Sequence, residues 1–169
     1  METCLREYGA NPGRSGHKMS VGVHKLVQNT RELLCRLFKI EDPSRIIFTL
    51  NATDALNMAI KGLLKPGDHA ITTSMEHNSV SRPLHGLSLK GVNVTKIQCS
   101  SDGTLSLDEI EMAIRQNTRA IIMLHASNVT GTLMPVEEIG EIARKKGIIF
   151  VVDAAQTAGI FDINLSKTN

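Results

Sequence analysis

Four short polar clusters in this chain each follow an apolar run with the look of a strand. They are Asn51-Ala52-Thr53 after "RIIFTL", Glu76-His77-Asn78 after "AITTSM", Ser127-Asn128-Val129-Thr130-Gly131 after "AIIMLHA", and Asp153-Ala154-Ala155-Gln156 after "IIFVV". Their residue types suit a phosphorylated aromatic ring. A hydroxyl such as that of Thr53, with free backbone N–H groups at a helix start, suits a phosphate, because unpaired donors and the helix dipole converge there. The imidazole of His77 can lie flat on a ring. Asp153 places a carboxylate where a buried strand ends, and a buried anion requires a partner; a protonated ring nitrogen is one. The amides of Asn128 and Gln156 can then hydrogen-bond a phenolic oxygen on that ring. Taken singly, each cluster has a plainer account. Thr53 can cap a helix, His77 can be a loop or core histidine, Asn128 with Thr130-Gly131 can form a turn, and Asp153 can cap the next helical turn.

The elements that must position these residues are legible from periodicity. Val23, Leu26, Val27, Leu33, Leu34, Leu37 and Phe38 follow helical spacing over Val21 to Phe38, a segment that Asp42-Pro43 brings to an end. "RIIFTL" has the composition of a short buried strand, and in the following "TDALNMAIKGLLKPGD" residues Leu56, Ile60, Leu63 and Leu64 share a helical face before the Lys65-Pro66-Gly67-Asp68 turn. The pattern repeats: strand "HAITTS" and a helix within "SVSRPLHGLSLKG", then strand "VNVTKIQ" and helix "SLDEIEMAIRQ". Strand "RAIIMLHAS" leads to a helix beginning near Pro135 and stopping at Gly147, and "IIFVVD" is the last strand. Alternation of this kind predicts an α/β fold, a mainly parallel sheet with helices on both faces. Ligands of such sheets sit beyond the carboxyl ends of the strands, where the four clusters fall.

Composition narrows the function classes. With 41% apolar residues in 169, the chain can build a sizeable core. Four Phe, one Tyr and no Trp supply no stacking platform for single-stranded nucleic acid, and a formal charge of +2 steers no polyanion. The basic run Arg144-Lys145-Lys146 falls in the last turn of a helix, where cations favour the dipole. Cys4, Cys35 and Cys99 form no Cys-x-x-Cys pair, no His-Glu-x-x-His is present, and no apolar run approaches a membrane span. These features predict no metal site, no membrane association, free thiols and a cytoplasmic protein. No Gly-x-Gly-x-x-Gly or Walker spacing supports a nucleotide-binding reading of the topology.

A phosphorylated pyridine that bears a phenolic oxygen is pyridoxal 5′-phosphate, which acts as an electron sink when an acid stands beside its ring nitrogen. At this point the sequence resembles the cysteine desulfurases and related class V aminotransferases, fold type I enzymes that use this cofactor. "NATDALN" resembles their phosphate segment, which assigns Ala52 and Thr53 to the cofactor phosphate. "MEHNSV" matches their Glu-His-x-Ser element, which makes His77 the ring-stacking and catalytic histidine. "SNVTG" resembles Ser-Asn-x-x-Gly and brings Asn128 near the phenolic oxygen. "VDAAQ" matches Val-Asp-x-x-Gln, pairing Asp153 with the pyridine nitrogen and Gln156 with the phenolic oxygen. "NPGRSGHKMS" is similar to a segment that helps close the active site, with Arg14, Ser15 and His17 as candidates; a glycine-rich surface loop explains them equally well.

The resemblance also carries an expected departure. The family's Schiff-base lysine, in a Ser/Thr-x-His-Lys element, its small carboxy-terminal domain and the loop bearing a desulfurase's nucleophilic cysteine are not found in these 169 residues. Lys167 lacks the preceding His and reads as a surface lysine. Residues 1–169 are therefore expected to form part of the large cofactor-binding domain, inactive alone. The complete enzyme would take sulfur from L-cysteine, or act on a similar amino acid, through a cofactor aldimine and a cysteine persulfide, as a homodimer. A truncated, non-catalytic module that binds the cofactor or a protein partner is the alternative.

Overall fold

A computed structural model describes residues 2–13 and 16–165, apart from the side chain of Cys4. Arg14, Ser15 and Lys167 lie outside the described residues. The chain divides into two compact units, one made of residues up to Phe48 together with Asp162–Leu165, the other of Thr49–Phe161.

In the first unit, helix α1 spans Glu2–Glu7 and α2 spans Lys18–Phe38. The start of α2 is fixed by His17, whose Nδ1 accepts the Ser20 N–H at 3.3 Å, so His17 acts here as a helix cap. The helix stops at Phe38, ahead of Asp42-Pro43, because Lys39 takes the left-handed conformation (φ 56°) and Ile40 N–H closes back on the Cys35 carbonyl. Its apolar face is less buried than the periodicity implies: Leu26 and Leu33 stay 48% and 63% exposed.

The second unit holds the sheet. Its elements are α3 (Ala52–Leu63), β1 (His69–Thr73), α4 (Asn78–Ser88), β2 (Asn93–Ile97), α5 (Leu107–Ala113), β3 (Thr118–Leu124), α6 (Val136–Lys146) and β4 (Ile149–Asp153). The four strands are parallel in the order β2-β1-β3-β4. From β1 the chain steps outward to β2, and from β3 it steps outward the other way to β4. The boundary between β1 and β3 is thus a topological switch point.

Right-handed crossovers in opposite directions put their helices on opposite faces, and the core divides accordingly. Ala70, Ala120 and Ile122 pack against Leu56 and Ile60 of α3 and Val80 and Leu84 of α4. Ile71, Ile121 and Met123 pack against Ile110 of α5 and Ile139 and Ala143 of α6. Alternate residues of β3 therefore serve two cores, as a strand buried on both sides requires. Helix α6 ends where the sequence indicates, with Gly147 left-handed (φ 67°) after the basic last turn.

One expected strand is absent. The segment "RIIFTL" begins in a short 3₁₀ turn, Pro43–Arg45, leaves it through an extended Ile46, and has no ladder partner among the described residues. Ile47 is 71% and Leu50 91% exposed. Its apolar, β-branched composition favours extension, but a strand also needs a neighbour to exchange backbone hydrogen bonds.

At the amino-terminal side of the sheet, His69 is fully buried. Its Nδ1 and Nε2 each lie 2.8 Å from a threonine hydroxyl, of Thr118 on β3 and Thr95 on β2. Burial, and then the nearby Arg115 charge, lower its pKa from 6.5. An unfolded chain takes up that proton more readily, so the contribution of His69 to stability is present above pH 6.5 and lost as pH falls through the folded-state value. The unfolding midpoint should drop on acidification below this point, and His69→Gln should flatten that acid limb in a thermal melt series. An unchanged limb in the variant would contradict the assignment.

Candidate cofactor site

The carboxyl ends of β1, β3 and β4 and the starts of α3 and α4 converge on one cleft of about 140 Å³. Its walls include Ala52, Thr53, His77, Asn128, Asp153 and Gln156, all six residues singled out from the sequence. Four segments separated by up to 100 residues of chain are needed to assemble it. Ser79, Leu124, Ala126 and Ala155 complete the lining.

Local hydrogen bonding shows which polar groups are already committed. The N-cap of α3 is Asn51, whose Oδ1 accepts the Asp54 N–H at 2.9 Å. Thr53 sits one residue inside the helix, so its hydroxyl is not the cap that the plainer account supposes. In the turn after β3, the Ser127 hydroxyl oxygen accepts the N–H groups of Val129 and Thr130, both at 3.2 Å, and Gly131 turns the chain with φ 72°. Ser127 therefore organises this turn, and Asn128 stands exposed at the cleft.

His77 caps α4. Its Nδ1 accepts the Ser79 N–H at 3.2 Å and lies 2.8 Å from the Ser79 hydroxyl. This pair fixes one edge of the imidazole and leaves Nε2 as the other polar position. No described helix follows β4, so Asp153 is not a helix cap; its Oδ1 accepts the Ala155 N–H at 3.0 Å in a side-chain turn, and Asp153 and Gln156 both line the cleft. Its place is anchored by the ladder, since Asp153 pairs with Leu124 and its carbonyl accepts the His125 N–H at 2.9 Å.

Two residues beside the cleft received no role from the sequence. Ser79 is buried and holds His77; its signal is a small hydroxyl two positions after a helix-capping histidine. Glu76 is the other. Burial, with a smaller push from the Asp153 charge, raises its pKa from 4.5 to about 7, against the opposing hydrogen bonds from Thr73 and Leu124. A second, larger groove of about 860 Å³ runs along α3 and α4, sharing Thr53, His77 and Ser79 with the cleft and adding Lys61, Arg82 and Lys90.

The donor set fits a phosphorylated pyridine. It provides a helix start with an uncommitted hydroxyl, a fixed imidazole, two exposed amides and a half-buried carboxylate. No metal-binding group of three or more His, Cys, Asp or Glu exists among the described residues.

The profile of the class V aminotransferases matches residues 1–169. The chain belongs to that family. Cysteine desulfurase IscS of Pseudomonas fluorescens is 36% identical over 173 residues, covering 99% of this chain and 43% of the relative. The enzyme of the same name from Vibrio vulnificus is 37% identical over 161 residues, 93% of this chain and 40% of the relative. Among solved structures, an apo cysteine desulfurase from Thermococcus onnurineus NA1 superposes with a TM-score of 0.90 at 33% identity, over 99% of this chain and 42% of that one. SspA in complex with cysteine gives 0.92 at 32% identity, over 99% and 49%. The chain thus spans less than half the length of these relatives. The family is pyridoxal phosphate-dependent, and the α/β fold expected of it is the one observed.

The turn contact of Asp153 yields a stability prediction. Asp153→Asn keeps the oxygen that accepts the Ala155 N–H and should change unfolding free energy by less than about 0.5 kcal/mol, whereas Asp153→Ala, which loses one hydrogen bond, should cost about 1 kcal/mol. Urea unfolding of the two variants checks this; equal losses would show that the turn hydrogen bond contributes nothing.

Proposed function

We propose that this chain supplies the pyridoxal phosphate-binding half of a cysteine desulfurase-like active site. The observation that carries the reading is the convergence of Ala52, Thr53, His77, Asn128, Asp153 and Gln156 on one cleft. When bound, the cofactor supplies an electron sink for a carbanion at the substrate α-carbon.

The residues of this chain then have separable tasks. Ala52 and Thr53, at the start of α3, receive the phosphate through backbone N–H groups and the Thr53 hydroxyl. Asp153 pairs with the ring nitrogen and favours its protonated form, because a carboxylate stabilises an adjacent cation most where water is partly excluded. Asn128 and Gln156 donate amide N–H to the phenolic oxygen. His77, with Nδ1 occupied by Ser79, presents its ring to the cofactor face and can hold or move a proton at Nε2.

No lysine lines the cleft among the described residues, so this reading takes the Schiff-base lysine from outside them. The substrate we infer is L-cysteine or a similar small amino acid, in keeping with the desulfurase relatives and with the cysteine bound by SspA. A homodimer in the complete enzyme and a cytoplasmic location belong to the same reading, the latter in keeping with the free thiols of Cys35 and Cys99.

Titration of the full chain with pyridoxal phosphate, followed by absorbance and fluorescence, should give saturable binding. Loss of a hydrogen bond to a charged group costs about 1.5–3 kcal/mol, so Asp153→Asn should weaken it about tenfold or more while the fold is kept. In the complete enzyme the same variant should lower sulfide release from cysteine by a similar factor. Binding that is absent, or indifferent to Asp153, would refute the proposal.

A further inference from the structure

At the switch point between β1 and β3 one carboxyl group does the work of a backbone. β1 stops at Thr73, whereas β3 continues to Leu124. The Leu124 N–H donates to Glu76 Oε1 at 3.2 Å, and the Thr73 hydroxyl donates to the same oxygen at 2.6 Å. Thr73 Oγ1 in turn accepts the Met75 N–H at 3.2 Å, which ties down the turn that carries Glu76 and His77. Leu124 is the ladder partner of Asp153. A single side chain therefore connects the segment bearing His77 to the strand that registers Asp153.

The other oxygen, Oε2, is buried and has no hydrogen-bond partner among the described residues. None of the ion pairs formed among the described residues includes Glu76. A carboxylate in that situation is an unpaired buried anion, and loss of its charge removes most of the cost. The titratable groups on the surrounding elements are Asp153 at the end of β4, His125 just past β3 and His77 next in the chain. Of these, Asp153 acts on Glu76 through its charge, in the direction that favours the neutral acid.

We propose that Glu76 is the positioning residue of the cleft: as an uncharged acid it bridges β1 and β3, sets the spacing of His77 and Asp153, and leaves Asp153 the single charged carboxyl at the strand ends. The proposal rests on the pyridoxal phosphate reading for its ligand, but the proton on Glu76 does not. Above about pH 7 a second anion should arise beside Asp153, which disfavours a ligand that carries a phosphate.

The test compares the full chain with Glu76→Gln, a neutral isostere that keeps Oε1, and Glu76→Met, which keeps volume alone. Infrared spectra of each, without cofactor, should show a protonated carboxyl band in the unaltered chain that fades as pH rises through about 7 and is missing in Glu76→Gln. Pyridoxal phosphate affinity should fall over the same range in the unaltered chain and lose that component in Glu76→Gln. Glu76→Met should bind about tenfold more weakly than Glu76→Gln. An absent band, or a glutamine variant no better than the methionine one, would overturn the proposal. Should the methionine variant fail to fold, the band and the glutamine pH profile decide it. A band present in a chain that binds no pyridoxal phosphate would support the neutral bridge and refute the cofactor reading instead.

Discussion

The structure depends on the parallel direction of the four described strands. Parallel strands deliver all their carboxyl ends to one edge of the sheet, and each connection must leave from there to cross back over a face. Where consecutive crossovers diverge, between β1 and β3, the loops part and leave a crevice that no backbone fills. The six residues singled out from the sequence lie on that crevice. His77 caps the helix leaving β1, Asn128 follows β3, and Asp153 ends β4. The start of α3 closes the remaining side, held by its packing against α4 in the core that Leu56, Ile60, Val80 and Leu84 share.

The same geometry sets the electrostatics. Two carboxyls, Glu76 after β1 and Asp153 at the end of β4, interact across the end of β3, and they are handled differently. Asp153 is half-buried at the cleft, with one oxygen committed to a backbone N–H. Glu76 is turned into the switch point, where burial raises its pKa to about 7. Its effect on stability runs opposite to that of His69. A raised carboxyl pKa contributes stability that is fully present below pH 4.5 and is lost as pH rises through about 7, whereas the lowered pKa of His69 removes stability on the acid side. As pH falls below 6.5 the contribution of Glu76 therefore grows while that of His69 shrinks, and the two oppose one another.

Much of this was legible in the sequence, because the features concerned are local. Alternating apolar strands and amphipathic helices mark the two-sided sheet, Gly147 marks the end of α6, and the polar clusters mark the strand ends. The resemblance to a known family implied a common ligand for the clusters, and all six chosen residues line one cleft. What failed depends on neighbours. Ile46 to Thr49 have strand composition, yet no described strand pairs with them. Leu26 and Leu33 keep helical spacing, yet remain largely exposed. Glu76 was visible only as the residue before His77; that its carboxyl replaces a ladder partner for Leu124 follows from β1 ending short, which no pattern in the sequence encodes.

The central claim is that one cleft at the β1–β3 switch point, and not the more voluminous basic groove beside it, receives pyridoxal phosphate. Backbone amide chemical shifts recorded while the chain is titrated with pyridoxal phosphate test this directly. The account predicts that the largest changes fall on residues 52–53, 77–79, 124–128 and 153–156. Changes centred on Lys61, Arg82 and Lys90, the cations of the neighbouring groove, would contradict it.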